Sequence, residues 1–330
     1  MKKILLAGLC VLLFATAAMA NSLVVGFVTG ASGLGDLSYN DMAYGGIRKA
    51  QQEHGFKLIV TEPEGNGQVT KEAVLGAVKQ ADVVLVLGAQ HIELVKELGK
   101  LNPNKKFVLF EIPVEGFPNI SSVMFKQSEG SFMAGALAAM VTETGKVGFV
   151  GGTPIPPVQA FEQGYREGVA YANPKVDVMV DYVSPAGDFS GFGNPKKGYS
   201  LANGQYNKGA DIVFAVAGLT GNGVIEAARR SGNYAIGVDS DQDSLAKGFV
   251  LTSMIKRLDT ATYTELTEIV QDRFTAGPSY YGLNNGGVSL SEMKYTRDKI
   301  APGVLEKLDA IKAKVIDGEI KVTDLLSAKK

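Results

Sequence analysis

Short runs rich in Val, Ile and Phe alternate along the chain with longer stretches of helical period. That order is the pattern of a parallel sheet covered by helices. Residues 23–28 read as a first strand. Met42, Ala43, Ile47 and Ala50 then form the inner stripe of a helix that Ser38 can cap, with Asp41 three residues on. A strand over 57–60 follows, then a helix over 68–80 with Val69, Ala73, Val74 and Ala77 on one face. Residues 83–87 are a continuous apolar strand, 93–98 a short helix and 107–110 another strand. These make one doubly wound unit.

The alternation then repeats, with helices over 129–144, 158–172, 196–208 and 222–230 and strands over 147–150, 176–182, 212–216 and 234–238. No Pro/Gly/Ser-rich tether separates the halves, and no short-period repeat is present. Two sheets joined without a loose tether predict an α/β protein of two doubly wound parallel-sheet lobes with strand-like hinges. A ligand would sit between the carboxyl ends of the two sheets.

The first twenty residues stand outside that pattern. Met1-Lys2-Lys3 is a short positive start, an apolar run follows to Ala18, and Ala18-Met19-Ala20 closes it with small residues. This is the three-part pattern of a secretory signal peptide cut after Ala20. A membrane span needs roughly 20 apolar residues, and this run is shorter. The only cysteine, Cys10, lies inside the run behind Leu9, which is not the small residue a lipid-attachment signal needs. The expectation is a soluble periplasmic chain with no disulfide.

Charge narrows the partners. The 33 basic and 34 acidic residues balance, which gives no electrostatic case for nucleic acid or an anionic membrane surface. Two histidines, His54 and His91, leave little for a transition-metal site, and both read as flanking surface helices. No metal and no cofactor is expected.

One motif points elsewhere. Thr29-Gly30-Ala31-Ser32-Gly33-Leu34-Gly35 follows the first strand and has the look of a dinucleotide-binding turn. Its glycine spacing fails, and Asp36 would repel a phosphate. Tyr295 and Lys299 have the spacing of a dehydrogenase catalytic pair but lie in a charged stretch beyond the sheets. An NAD-dependent oxidoreductase is therefore the remote alternative, and the chain is read as a binding protein that catalyses nothing.

Polar and aromatic residues gather just past the carboxyl ends of predicted parallel strands, where open α/β sheets bind ligands. Asp36, Ser38, Tyr39 and Asn40 follow the first strand, and Glu111 follows Phe110. Phe189 and Phe192 lie in the loop after Tyr182, Gly218 begins a glycine-rich turn after strand 212–216, and Asp239 follows strand 234–238. Each has a plain structural reading: Asp36 can merely flank a helix start, Asp239 can cap a turn, the Gly218 segment can be a tight turn, and the phenylalanines can be core. Their shared location favours a site. Carboxylates facing amides and rings suit a neutral ligand with hydroxyls and a flat ring.

Five blocks carry a resemblance. They are Gly35-Asp36-Leu37-Ser38-Tyr39-Asn40, the run 145–152, the run 217–225, Gly237-Val238-Asp239-Ser240-Asp241-Gln242, and Leu251-Thr252-Ser253-Met254-Ile255-Lys256-Arg257. Together they resemble the signature blocks of the basic membrane protein family, the purine nucleoside receptor A-like substrate-binding proteins of ABC transporters. The resemblance implies a type I periplasmic-binding-protein fold and a purine nucleoside-like ligand delivered to permease and ATPase subunits. It places Asp36, Tyr39, Asn40 and Glu111 near the base and a second aromatic at Phe192. Ribose contacts fall at Gly218, Asp239 and Lys256, with Lys256 orienting Asp239. Tyr39 stands where the family usually has phenylalanine and Glu111 where it has aspartate. The loop 184–193 is longer than usual, and a lipobox is missing.

The expectation is then an amino-terminal lobe over 21–125 plus 252–275 and a carboxyl-terminal lobe over 126–251 plus 276–330, with three hinge crossings. The protein would act as a monomer that closes over its ligand. The same clamp for riboflavin or another heterocycle, or for a sensor subunit, is the alternative.

Overall fold

Strands that are apolar on both faces need cover on both faces, and this decides the layering. The computed structural model describes residues 23–65 and 67–326; the expected signal peptide and its cleavage site lie outside them. The first half runs β1 (Val24–Val28), α1 (Tyr39–His54), β2 (Lys57–Thr61), α2 (Lys71–Gln80), β3 (Val83–Val86), α3 (Ile92–Leu101), β4 (Lys106–Phe110) and β5 (Ile120–Phe125). The second runs α4 (Gln127–Val141), β6 (Lys146–Gly151), α5 (Pro156–Ala172), β7 (Asp177–Tyr182), α6 (Pro195–Asn207), β8 (Ile212–Val216), α7 (Gly221–Ser231), β9 (Tyr234–Asp239) and β10 (Val250–Lys256). The chain ends with α8 (Leu258–Val270), β11 (Gly277–Tyr281), β12 (Val288–Leu290) and α9 (Val304–Ile316).

Two six-stranded sheets result. The first has the order β11-β5-β4-β3-β1-β2 and is wholly parallel. The second has the order β12-β10-β9-β8-β6-β7, and only β12 runs antiparallel. Every residue of β3, β5 and β8 is buried. The chain crosses between lobes at Lys126, at Arg257 and between Tyr281 and Val288. The crossings are bonded side by side: Lys126 N–H donates to the Tyr281 carbonyl at 2.8 Å, and Arg257 N–H to the Gly287 carbonyl at 2.9 Å.

The structure corrects several expectations. Strand β5 went unread because Ser121 and Ser122 interrupt its apolar run; both are buried and hydrogen-bonded, Ser121 donating to the distant Glu265 and Ser122 accepting from the nearby Val114 N–H. The piece that returns to the amino lobe is not 252–275. Strand β10 pairs with β9 in the second sheet through Ile255, and β11 pairs with β5 in the first sheet. The lobe boundaries therefore shift by several residues. Strand β10 is buried on both faces and shows no alternation, whereas β11 is a short edge strand whose Pro278 hides its signal. Helix α2 starts at Lys71 rather than at 68, because the Thr70 hydroxyl accepts from the Ala73 N–H and caps it.

His54 does flank a helix, ending α1 beside the Thr267 hydroxyl, but His91 at the start of α3 is buried. Among the described residues no helix is long and apolar enough to cross a membrane, and no group of three His, Cys, Asp or Glu side chains could hold a metal ion.

Candidate functional site

After β1 the chain turns into α1, and the first turn of a helix leaves N–H groups without intrahelical partners. Asp36 takes them. Its carboxylate accepts from the Ser38 and Asn40 N–H groups at 2.9 Å each, from Asp41 N–H at 3.2 Å and from the Asn40 amide at 3.0 Å. Asp36, not the expected Ser38, is thus the capping residue. Burial pushes its pKa above the usual carboxylate value, against the pull of the three backbone donors. Asn40 is equally occupied: its side-chain oxygen accepts from Gly30 N–H at 2.7 Å, and its amide also donates to the Ala31 carbonyl at 3.2 Å. The helix N-terminus that a dinucleotide phosphate would need is already filled.

Glu111 follows β4 with φ of 79°, a left-handed conformation that side chains rarely adopt. Its Oε1 accepts from the Tyr39 hydroxyl at 3.0 Å and from Lys256 Nζ at 2.5 Å. Its Oε2 accepts from the Gln127 amide at 3.4 Å. The side chains of Lys256 and Glu111 are 2% and 5% exposed, so this is a buried ion pair joining the end of β10 to the end of β4 across the hinge. The rings of Tyr39, Phe125 and Phe161 surround the ammonium at 5.1, 5.0 and 5.6 Å, a favourable arrangement for a desolvated cation. Burial, and then the Glu111 charge, push the Tyr39 phenol well above its ordinary pKa, so it stays protonated and donates. The expected pairing of Lys256 with Asp239 is replaced by this bond to Glu111.

The opposite wall is built differently. β9 ends on Asp239, also left-handed at φ 65°, inside a three-residue turn closed by Ser240 N–H on the Val238 carbonyl at 2.8 Å. Such strain concentrates at functional sites. Asp239 Oδ2 accepts from the Ser38 hydroxyl at 2.6 Å, and Oδ1 has no partner among the described residues. Burial raises its pKa to about 6, with Lys256 and the Ser38 bond pulling the other way. Phe189 and Phe192 sit in a short 3-10 turn, their centroids 6.3 Å apart. A Cβ on Gly152 would fall 2.5 Å from the Phe192 ring, so that glycine makes the ring's seat. The Thr220 hydroxyl holds this turn to the start of α7, donating to the Gly191 carbonyl and accepting from Asn194 N–H, each at 2.7 Å.

All nine expected residues, Asp36, Tyr39, Asn40, Glu111, Phe189, Phe192, Gly218, Asp239 and Lys256, line one cleft of about 690 Å³ including its open mouth. Sequence reasoning missed Gln90 and Phe161, which line it too. Gln90 lies just past the carboxyl end of β3, the rule that found the others. Phe161 was hidden as a helix-face residue of α5. The lobes also touch directly at the rim: the Ser240 hydroxyl and the Gln242 amide both donate to the Leu37 carbonyl, at 2.6 and 3.1 Å. Tyr295 and Lys299 lie outside the cleft, with Lys299 bonded to the Gly248 carbonyl at 2.9 Å.

Comparison with known proteins adds a second line. A family model described as ABC transporter substrate-binding protein, PnrA-like, matches residues 23–325. A CD4+ T-cell-stimulating antigen of Listeria monocytogenes is 31% identical over 91% of this chain and 88% of its own length. The ABC transporter nucleoside-binding protein BmpA of Lactococcus lactis is 29% identical over 89% of this chain and 87% of its own. A solved solute-binding protein of an ABC transporter system from Aeropyrum pernix K1 superposes with a TM-score of 0.81 at 27% identity, covering 91% of this chain and 92% of that one.

Proposed function

The chain belongs to the family of PnrA-like ABC transporter substrate-binding proteins, and from that premise we propose that it captures a purine nucleoside-like ligand between its lobes and delivers it to an importer. The observation that carries this reading is the carboxyl-lobe wall. There the Phe189 and Phe192 rings, the Gly218 turn and the half-occupied carboxylate of Asp239 face one slot. Rings stack on a flat heterocycle. The free oxygen of Asp239 accepts from a hydroxyl of the ligand's substituent, a charge-assisted bond stronger than a neutral one.

Closure follows from shared contacts. A ligand that touches both walls binds the closed state better than the open one, and only that difference shifts the population. The Ser240 and Gln242 bonds to the Leu37 carbonyl join the two lobes at the rim and support such a closed arrangement. The importer partners are permease and ATPase subunits, met in the periplasm by a monomeric carrier.

A thermal-shift panel of nucleosides, free bases, riboflavin, sugars and amino acids tests this. A binder at 100 times its dissociation constant adds about 2.7 kcal/mol of stability. At least one ring-bearing compound is expected to raise the transition. A panel in which only sugars or amino acids do so overturns the reading.

A further inference from the structure

Ser38 stands at the start of α1, yet its hydroxyl takes no part in capping that helix. The Asp36 carboxylate covers the helix end instead. A fully buried hydroxyl needs a partner, and this one finds it in the other lobe. It donates to Asp239 Oδ2 at 2.6 Å and stands 3.3 Å from the Val238 carbonyl.

The residues beside it are bonded across the lobes as well. The Asn222 amide donates to the Asp36 carbonyl at 3.5 Å, and Ser240 and Gln242 reach the Leu37 carbonyl. Leu37 is left-handed at φ 55°, its N–H donating to the Asp41 carboxylate at 2.9 Å. A non-glycine residue keeps such a conformation only where its surroundings over-determine it. The carboxyl-lobe turn is fixed in the same way, because Gln242 Oε1 accepts from Val238 N–H at 3.0 Å and Gln242 N–H donates to the Ser253 hydroxyl at 3.0 Å. Two braced segments thus meet at the bond between Ser38 and Asp239, and that bond breaks when the lobes part.

We propose that Ser38 is a positioning residue that couples closure to recognition: closing sets its hydroxyl on Asp239 Oδ2, which fixes the carboxylate with Oδ1 toward the ligand. This rests on the proposed binding of a hydroxylated, ring-bearing ligand in the cleft. An acceptor already held in its bound orientation loses less freedom when the ligand arrives. The bond also favours the ionised carboxylate. Burial raises Asp239 to about 6, Lys256 of β10 and the Ser38 hydroxyl pull it down, and Asp36 and Glu111 push it up. The Tyr39 phenol of α1 also feels the Asp239 charge but stays protonated. Without the Ser38 hydroxyl one downward pull is gone and the carboxylate protonates at higher pH.

Calorimetric titration of the parent and Ser38→Ala with inosine and with riboflavin, across a pH series, tests the assignment. Whichever compound the parent binds, Ser38→Ala should bind it about tenfold more weakly near neutral pH, as expected for a lost bond to a charged group. The pH below which affinity falls should also move up from about 6. A melting curve shows that the variant folds, since the cap of α1 does not use that hydroxyl. A variant that melts earlier but keeps the parent's affinity overturns the assignment and leaves the ring-binding reading intact. Weaker binding with an unmoved pH dependence overturns it too, because Ser38 would then act without the Asp239 carboxylate. If neither compound binds the parent, the ring-binding reading falls and the assignment with it.

Discussion

On the amino-lobe wall of the cleft, Asp36, Asn40 and Glu111 present polar side chains, yet their lone pairs and N–H groups are used by other protein groups. On the carboxyl-lobe wall, Asp239 keeps one oxygen unpartnered beside the Phe189 and Phe192 rings. Both walls carry a carboxylate at a strand end in a left-handed conformation. One of them neutralises Lys256 across the hinge, and the other is held above its ordinary pKa by burial. A carboxylate in a cleft reads a ligand only through lone pairs that the protein has not already filled. By that criterion the amino-lobe carboxylates are a scaffold that positions Tyr39, and the carboxylate that reads the ligand stands on the carboxyl-lobe wall.

The largest expected effect probes the scaffold. Glu111→Gln leaves the Lys256 ammonium buried without its counter-ion, which destabilises by about 3–5 kcal/mol. Chemical denaturation should show that loss. A variant as stable as the parent that no longer binds would put Glu111 on the ligand side instead.

Next comes Asp239→Asn. Asparagine tolerates the left-handed backbone and keeps an acceptor for Ser38, but it removes the charge. Affinity for the bound heterocycle should fall about a hundredfold, since bonds to a charged group contribute about 1.5–3 kcal/mol each. Stability should hold or rise, because the buried charge is gone. Weaker folding with unchanged affinity would make Asp239 a turn residue only.

A pH titration sharpens the same point. The ionised carboxylate is the acceptor, so affinity should be level above about pH 6, the pKa of Asp239, and fall by up to tenfold per unit below it. Stability of the unliganded protein runs the opposite way. The folded pKa is raised from 3.8, so the contribution is present below that value and is lost as pH rises through about 6. The change is about 3 kcal/mol. The affinity dependence should be missing from Asp239→Asn, and the stability dependence should shrink without vanishing, because burial also raises Asp243 to about 6.

The smallest effect concerns the ring seat. Phe192→Ala removes one stacking face and should weaken binding by about tenfold, in line with about 1–3 kcal/mol per stacked base. Unaltered calorimetric affinity would assign that ring to packing over Gly152.

Much of the fold was legible because parallel strands covered on both faces are continuous apolar runs, as in β3 and β8. The site's location was legible because strand ends in such sheets converge. The roles of its residues were less so. Nothing in the spacing of Glu111 and Lys256, 145 residues apart, announces an ion pair. Ser38 has the composition of a helix cap, but its hydroxyl turns to Asp239 in the other lobe, and Asp36 two residues earlier does the capping. Ser121 of β5 and the edge strand β11 were unreadable because their partners, Glu265 and β5, are supplied by distant chain.

Native mass spectrometry, with nucleosides and riboflavin in excess, tests the central claim most directly when parent and Asp239→Asn are compared side by side. The parent should carry one ring-bearing molecule per chain, and the variant should carry none at the same concentration. A parent that retains no ring compound, or a variant that retains it equally, contradicts the assignment of ligand recognition to the carboxyl-lobe wall.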